Sequence, residues 1–245
     1  MIKRKYLVLV PTKNRPKRIQ YAIKTFYEQC QKEKIDFLFI IEKTDKVLNL
    51  VPKEIGVVKL PKSNQGLGYV RMKGIKYAHS NGYSHVLMID DNVTFSKKRP
   101  PMFKKFLDCI NKDTKFLAAW NKYYELVGSM WGACFGVDVK SAIKIGNYDP
   151  NLTYGEDKFM LVKLSKEYGV NCFKTSNLIE FGKKRFEEGG GTFLKTKEKY
   201  NKVIKYINKN YSDLFRKIYI NKNNSMIMLP TFKLRKTHKP DFKRK

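Results

Sequence analysis

His85-Val86-Leu87-Met88-Ile89-Asp90-Asp91-Asn92 is the stretch that decides how the chain is read. A short run rich in β-forming residues ends abruptly in two carboxylates and an amide, which reads as a buried strand with a polar exit. In open α/β sheets ligands gather just beyond the carboxyl ends of the strands, so this triplet is expected at a cleft. Adjacent carboxylates repel, and a divalent cation with hard oxygen ligands is the usual relief. The competing reading is an Asp-Asn turn or helix cap. Acidic residues are scarce, 22 Asp+Glu against 51 Lys+Arg, and the surrounding loops favour a site.

Working outward, residues 5–10 and 36–41 read as strands, the first stopped by Pro11 and the second ending at Glu42. A shorter strand is expected at 56–60. Between the first two, Ile19, Ala22, Ile23, Phe26, Tyr27 and Cys30 fall on one helical face. Val70, Gly74, Ile75 and Ala78 do the same after a glycine-bearing loop at 61–68. Strands alternating with amphipathic helices predict βαβ units and a mostly parallel sheet flanked by helices.

The second half is more mixed. A helix is expected from Pro100-Pro101 through Ile110, and strands at 116–120 and 133–137. Asp138 caps a short helix to Ile145, a helix starts at Gly155-Glu156-Asp157 and runs to Tyr168, and a strand follows at 170–174. After the break at 187–192, Tyr200, Val203, Ile204, Ile207, Leu214 and Phe215 align as one long helix over 197–218. With no repeat and no linker, the simplest organisation is one domain over 1–232, with halves 1–95 and 96–232. A tail at 233–245 carries seven Lys/Arg.

Composition narrows the class. The 245 residues can bury one sizeable core or at most two small domains, and 42% hydrophobic with 13% aromatic content marks a folded chain. No apolar run approaches the ~18 residues of a membrane-spanning helix. The basic start, Met1 to Lys5, leads into an apolar stretch too short for a signal peptide, so a cytoplasmic location is expected. Cys30, Cys109, Cys134 and Cys172 are widely spaced and read as buried free thiols in a reducing compartment. His79, His85 and His238 offer no triad and no paired metal spacing. The net charge of +29 suits a polyanionic partner, nucleic acid or an anionic membrane surface. AT-rich coding also enriches Lys, Asn and Ile, but it normally raises Glu as well, and here the acids stay few.

Four loops are expected at the carboxyl edge of the sheet: 11–16, Glu42, 61–71 and 90–92. The third, with Asn64, Gly66 and Gly68, opens a helix, an arrangement that brings backbone N–H groups to a phosphate. Arg15 and Arg71 are bidentate partners for phosphate or carboxylate. The alternatives are a plain turn at Gly66-x-Gly68 and a solvated Arg71.

The ordered set Val10-Pro11-Thr12…Arg15, Gly66-Leu67-Gly68…Arg71…Gly74, Ile89-Asp90-Asp91-Asn92 and Gly155-Glu156-Asp157 resembles the GT-A-fold glycosyltransferases. The resemblance spans residues 5–180 and implies a nucleotide-sugar half at 1–95 and an acceptor half at 96–232. It implies that Pro11, Thr12, Arg15 and Glu42 hold the base of a UDP-sugar, with Asn64, Gly66, Gly68, Arg71 and Asp90 completing donor binding. It further implies that Asp90, Asp91 and Asn92 hold Mg²⁺ or Mn²⁺, although Asn92 stands where a second aspartate is usual. An amide oxygen still ligates a hard cation. Gly155-Glu156-Asp157 resembles the Glu-Asp pair of inverting members, implying Asp157 as general base with Glu156 as its rival; both are also ordinary first-turn helix acids. Trp131 and Gly132 fall in the region facing the acceptor, where Trp131 is either a stacking plate or core. His238 matches a late histidine that caps the diphosphate or metal in some relatives, or is simply exposed.

The chain is similar in size, charge and motif order to the TET-associated glycosyltransferases of phage. That implies a hydroxymethylated pyrimidine of the 5-hydroxymethylcytosine type in DNA as acceptor, with the basic helix and tail tracking phosphates. Two rival readings stand beside it: a membrane-peripheral glycosyltransferase of lipopolysaccharide or capsule, and a non-catalytic nucleic-acid-binding protein on the same scaffold.

Overall fold

The computed structural model describes residues 4–61, 66–119, 133–153, 155–182, 197–220, 226–232 and 240–244. Seven strands form one sheet: β1 (Tyr6–Pro11), β2 (Asp36–Glu42), β3 (Gly56–Leu60), β4 (His85–Ile89), β5 (Phe116–Ala119), β6 (Cys134–Asp138) and β7 (Phe173–Ser176), in the order β3-β2-β1-β4-β6-β5-β7. The pairs β1–β2, β1–β4, β2–β3 and β5–β7 are parallel, while β6 runs antiparallel to both neighbours. This is the mostly parallel, helix-flanked α/β sheet expected from the alternation of strand and helix patterns. The reversed β6 supplies the mixed second half.

The two-residue period of a strand sends β1 into two cores at once. Val8 and Val10 join Ile19, Ala22, Phe26 and Cys30 on one face. Leu7 and Leu9 join Met72, Ile75 and Ala78 on the other. All four β1 side chains are fully buried, each stabilising the fold by roughly 1.5–3 kcal/mol relative to exposure. Cover on both faces is why β1 and β4 read as continuous apolar runs.

The first helical segment is α1 (Pro16–Ala22) and α2 (Glu28–Glu33), joined by a π turn at Ile23–Tyr27. Pro16 sits at the first helical position, where its missing N–H is harmless. The extra residue per turn changes the helical phase between Ala22 and Cys30, both of which stay fully buried. Next come α3 (Leu67–Ser80), α4 (Phe103–Asp108), α5 (Val139–Lys144) and α6 (Glu156–Tyr168). As expected, Asp138 caps α5, accepting from the Ser141 N–H at 2.7 Å.

Two sequence expectations are corrected. A 3-10 turn occupies Val170–Cys172, so the last sheet strand starts at Phe173. The long helix α7 (Lys197–Asn210) stops early, and Leu214 and Phe215 lie outside it. Instead β8 (Phe215–Ile220) pairs antiparallel with β9 (Met226–Pro230) as a separate two-stranded sheet. Tyr200, Val203, Ile207, Leu214 and Phe215 bury into one cluster, which explains the misleading periodicity. The Tyr211-Ser212-Asp213 turn breaks the helix, and Phe, Ile and Tyr then favour a strand. The described part of the tail, residues 240–244, hydrogen-bonds along β7 and the residue after it. The Phe242 N–H donates to the Thr175 carbonyl at 3.1 Å, and Phe242 packs against the main core. Arg244 N–H reaches Asn177 Oδ1 at 2.6 Å.

Cys30, Cys134 and Cys172 are buried free thiols, whereas Cys109 is only partly covered.

Candidate active site

Because β1, β2 and β4 run parallel, Thr12, Glu42 and Asp90 emerge at the same edge of the sheet. The antiparallel β6 begins there too, and the Asp90 N–H donates to the Ala133 carbonyl at 2.8 Å, fixing the exit of β4.

The two adjacent aspartates then diverge. Asp91 turns inward and is 1% exposed. Its Oδ2 accepts from Thr12 Oγ1 at 2.6 Å and its Oδ1 from Arg15 Nη1 at 2.5 Å, with Arg18 Nη1 at 3.7 Å from the same oxygen. Both oxygens are thus committed to the loop after β1 and the first turn of α1. Asp90 keeps a side chain 27% exposed and accepts from Arg71 Nη2 at 3.3 Å.

Arg71, buried in α3, is the hub of the site. Its Nη1 lies 2.6 Å from Glu156 Oε1 at the start of α6, and its guanidinium lies over the Phe135 ring, 4.8 Å from the centroid. Burial works against the Arg71 charge, but Glu156, Asp90 and Asp157 more than offset it, raising the pKa above the ordinary arginine value. Burial pushes Glu156 up to about 7 against the pull of Arg71, with Asp157 adding repulsion. Burial likewise raises Asp90, opposed by Arg71 and reinforced by Asp91 and Asp157. Asp157 is therefore electrostatically close to both acids. It is half-buried, and its Oδ1 accepts from the Lys158 N–H at 2.8 Å.

Three carboxylates around one guanidinium leave two negative charges uncompensated when all are ionised, which fits a divalent cation. Among the described residues no three His, Cys, Asp or Glu side chains form a ready-made cage. A cation of the Mg²⁺ type usually takes one or two carboxylates and completes its shell with phosphates and water. Asp90, with half-buried Asn92 two residues on, is the better placed donor; Asp91 is occupied.

Gly66 and Gly68, expected from sequence in a phosphate cradle, make a close backbone contact. The Gly68 N–H donates to the Leu152 carbonyl at 3.0 Å. A Cβ at Gly68 would lie 2.3 Å from the Asp149 carbonyl oxygen, and one at Gly66 would lie 2.3 Å from the Thr153 Cα. The two glycines let the start of α3 touch the 149–153 backbone, bringing Arg71 within reach of Glu156. Gly155, at φ 75°, then turns the chain into α6.

Glu42 at the end of β2 pairs with Lys13 at 2.9 Å, and Asp45 accepts from the Asn14 N–H at 2.8 Å, bracing the 11–16 loop beside Pro11. Asn64, Trp131, Gly132 and His238 lie outside the described residues. Sequence reasoning missed Arg18 and Tyr148. Arg18 is 4% exposed one turn after Arg15, and an arginine flanking the apolar face of a helix was the available signal. Tyr148 is 1% exposed, with its pKa raised by burial foremost, then lowered by Arg71 and raised by Glu156 and Asp157. No motif marked it.

No family model and no curated protein matches this chain. Solved structures do. Glucosyl-3-phosphoglycerate synthase from Mycobacterium tuberculosis, in complex with Mn²⁺, uridine diphosphate and phosphoglyceric acid, superposes with a TM-score of 0.61 at 12% identity, over 93% of this chain and 87% of that one. The mannosyltransferase PcManGT from Pyrobaculum calidifontis, with GDP-Man and Mn²⁺, gives 0.52 at 12% identity over 68% of this chain and 54% of that one. At these identities the likeness establishes the fold: a GT-A, Rossmann-like architecture.

Proposed function

We propose that this GT-A-fold chain is a metal-dependent glycosyltransferase that moves a hexosyl unit from a nucleotide-diphosphate sugar, first of all a UDP-sugar, to a hydroxyl on a polyanionic acceptor. The observation that carries this is the Arg71 clasp, which joins Asp90 at the exit of β4 to Glu156 at the start of α6. It holds the acid at the exit of β4, read as donor-side, beside the acid pair at the start of α6, read as acceptor-side. The structural neighbours crystallised with Mn²⁺ and UDP or GDP-Man support the donor class.

The residues divide the work. Pro11, Glu42 and the loop locked by Thr12, Arg15 and Asp91 shape the base-binding side. Asp90 and Asn92 would hold Mg²⁺ or Mn²⁺, which when bound stabilises the departing diphosphate. Asp157, the less buried of the acid pair, takes the proton of the acceptor hydroxyl as it attacks the anomeric carbon. Attack from the face opposite the diphosphate inverts that carbon. Glu156, clasped by Arg71, sets the local field rather than the proton transfer.

For the acceptor, the net charge of +29 favours DNA, and we assign the hydroxymethyl of a 5-hydroxymethylcytosine-type base in phage DNA. Such a base must be flipped from a duplex or offered on a single strand. Incubating the protein with hydroxymethylated and unmodified DNA, Mn²⁺ and a panel of nucleotide sugars tests the assignment. A mass gain of one hexose on the hydroxymethylated DNA alone is expected; unchanged mass across the panel rejects it.

A further inference from the structure

We infer that the C-terminal unit of α7 and the β8–β9 hairpin is the nucleic-acid docking surface, set apart from the sugar-transfer pocket and latched to it through Asp149. This rests on the DNA acceptor proposed above for its purpose, but not for its geometry.

The unit has one apolar side and one cationic side. Tyr200, Val203 and Ile207 of α7 are buried against Phe159 and Val162 of α6, while Lys202, Lys205 and Lys209 recur along the exposed side. In β8, Ile218 and Ile220 pack toward the cluster while Lys217 and Tyr219 alternate outward, next to exposed Arg216. Tyr219 is 38% exposed, one of two large hydrophobic residues so exposed among the described residues, with Lys217 Nζ 5.1 Å from its ring centroid. Over 197–220 the acids are Glu198 and Asp213, and each is already paired, with Lys202 at 2.8 Å and Lys166 at 2.6 Å.

Cations flanking an exposed aromatic ring match a phosphate backbone with a base available for stacking. An anionic membrane fits less well, because a surface-bound helix needs an apolar face to insert, and that of α7 is spent on the core.

The latch links this surface to chemistry. Asp149 Oδ2 accepts from the hydroxyls of Tyr206 at 2.9 Å and Tyr211 at 2.6 Å, at the end of α7 and just beyond it. The same Asp149 opens the 149–153 segment that meets Gly66 and Gly68 and leads into Gly155-Glu156-Asp157. The end of α7, which shares its apolar cluster with β8, is thus tied through Asp149 to the chain that leads into the acid pair.

The test uses the full chain with fluorescein-labelled DNA, single- and double-stranded, titrated over a salt series. The quadruple variant Lys205→Glu/Lys209→Glu/Arg216→Glu/Lys217→Glu is expected to bind at least ~10-fold more weakly, with the log–log salt slope reduced by about 1 per lost phosphate contact. Tyr219→Ala is expected to weaken single-strand binding more than duplex binding. The control Lys46→Glu/Lys53→Glu/Lys76→Glu/Lys140→Glu changes net charge equally on other exposed positions. Equal losses in the control and the patch variant overturn the inference, since charge alone would then explain binding. So does a patch variant that loses binding to phosphatidylglycerol vesicles but keeps DNA affinity. UDP-sugar hydrolysis is read in parallel. Patch-dependent DNA binding without any hydrolysis upholds the docking surface while rejecting the transferase; hydrolysis with patch-independent binding does the reverse.

Discussion

Arg71 and Glu156 stand 2.6 Å apart, the guanidinium from the second turn of α3 and the carboxylate from the first residue of α6. Both are almost fully buried, so each charge depends on the other. Arg71→Met therefore strands Glu156 and Asp90 together, and a loss of about 3–5 kcal/mol is expected from breaking such a pair. Urea unfolding of Arg71→Met, Glu156→Gln and the double variant reads the coupling. The double variant should be more stable than the sum of the single losses predicts.

The divergence of Asp90 and Asp91 separates two roles that the sequence presents side by side. Asp91→Asn removes an acceptor from Arg15, Arg18 and Thr12 and should lower the melting temperature. Asp90→Asn should leave melting nearly unchanged while weakening Mn²⁺ binding at least ~10-fold, as follows from the ligand role proposed for Asp90. Calorimetric Mn²⁺ titration in the presence of UDP, beside thermal melts, tells the two apart.

Asp157→Asn should reduce transfer by about 10²–10⁴-fold, the usual contribution of a positioned base. UDP-sugar affinity should hold, because the role proposed for Asp157 is on the acceptor. Single-turnover transfer with an equilibrium binding measurement checks both halves.

Gly68→Ala places a Cβ against two backbone oxygens, at 2.3 Å from Asp149 and 2.5 Å from Leu152. Backbone cannot step aside cheaply, so a loss at the upper end of ~1–3 kcal/mol is expected. Gly74→Ala meets side-chain tips, Ile40 and Leu9 at 2.9 Å and Met88 at 3.7 Å, and should be milder. Denaturation midpoints rank them, and Gly68→Ala should also lower transfer by shifting Arg71.

Stability should depend on pH through two groups of opposite sign. Burial holds His85 neutral, its pKa lowered from 6.5 to about 4, with Asp138 pulling it up and Arg4 and Lys115 pushing it down. Between those values the unfolded chain binds more protons, so stability is lost as pH falls from 6.5 toward 4. Glu156 is raised from 4.5 to about 7, so the folded chain holds its proton longer and stability falls as pH rises across that window. Midpoints measured from pH 4 to pH 7 should rise less steeply for His85→Leu than for the wild type, and more steeply for Glu156→Gln.

The alternation of apolar strands and amphipathic helices determined the α/β sheet by itself, because local period and burial on both faces of β1 and β4 leave a direct imprint on composition. The same logic placed Thr12, Glu42 and Asp90 at one edge, since parallel strands share a direction. Tertiary structure alone decided that Asp91 turns to Arg15 and Arg18, that Gly66 and Gly68 serve a backbone contact with 149–153, and that Arg71 belongs to Glu156. It also decided that Leu214 and Phe215 leave the helix for a turn and hairpin built on the same cluster. These are partnerships between distant stretches of chain, and a residue's type and spacing record which face it occupies but not which group it meets there.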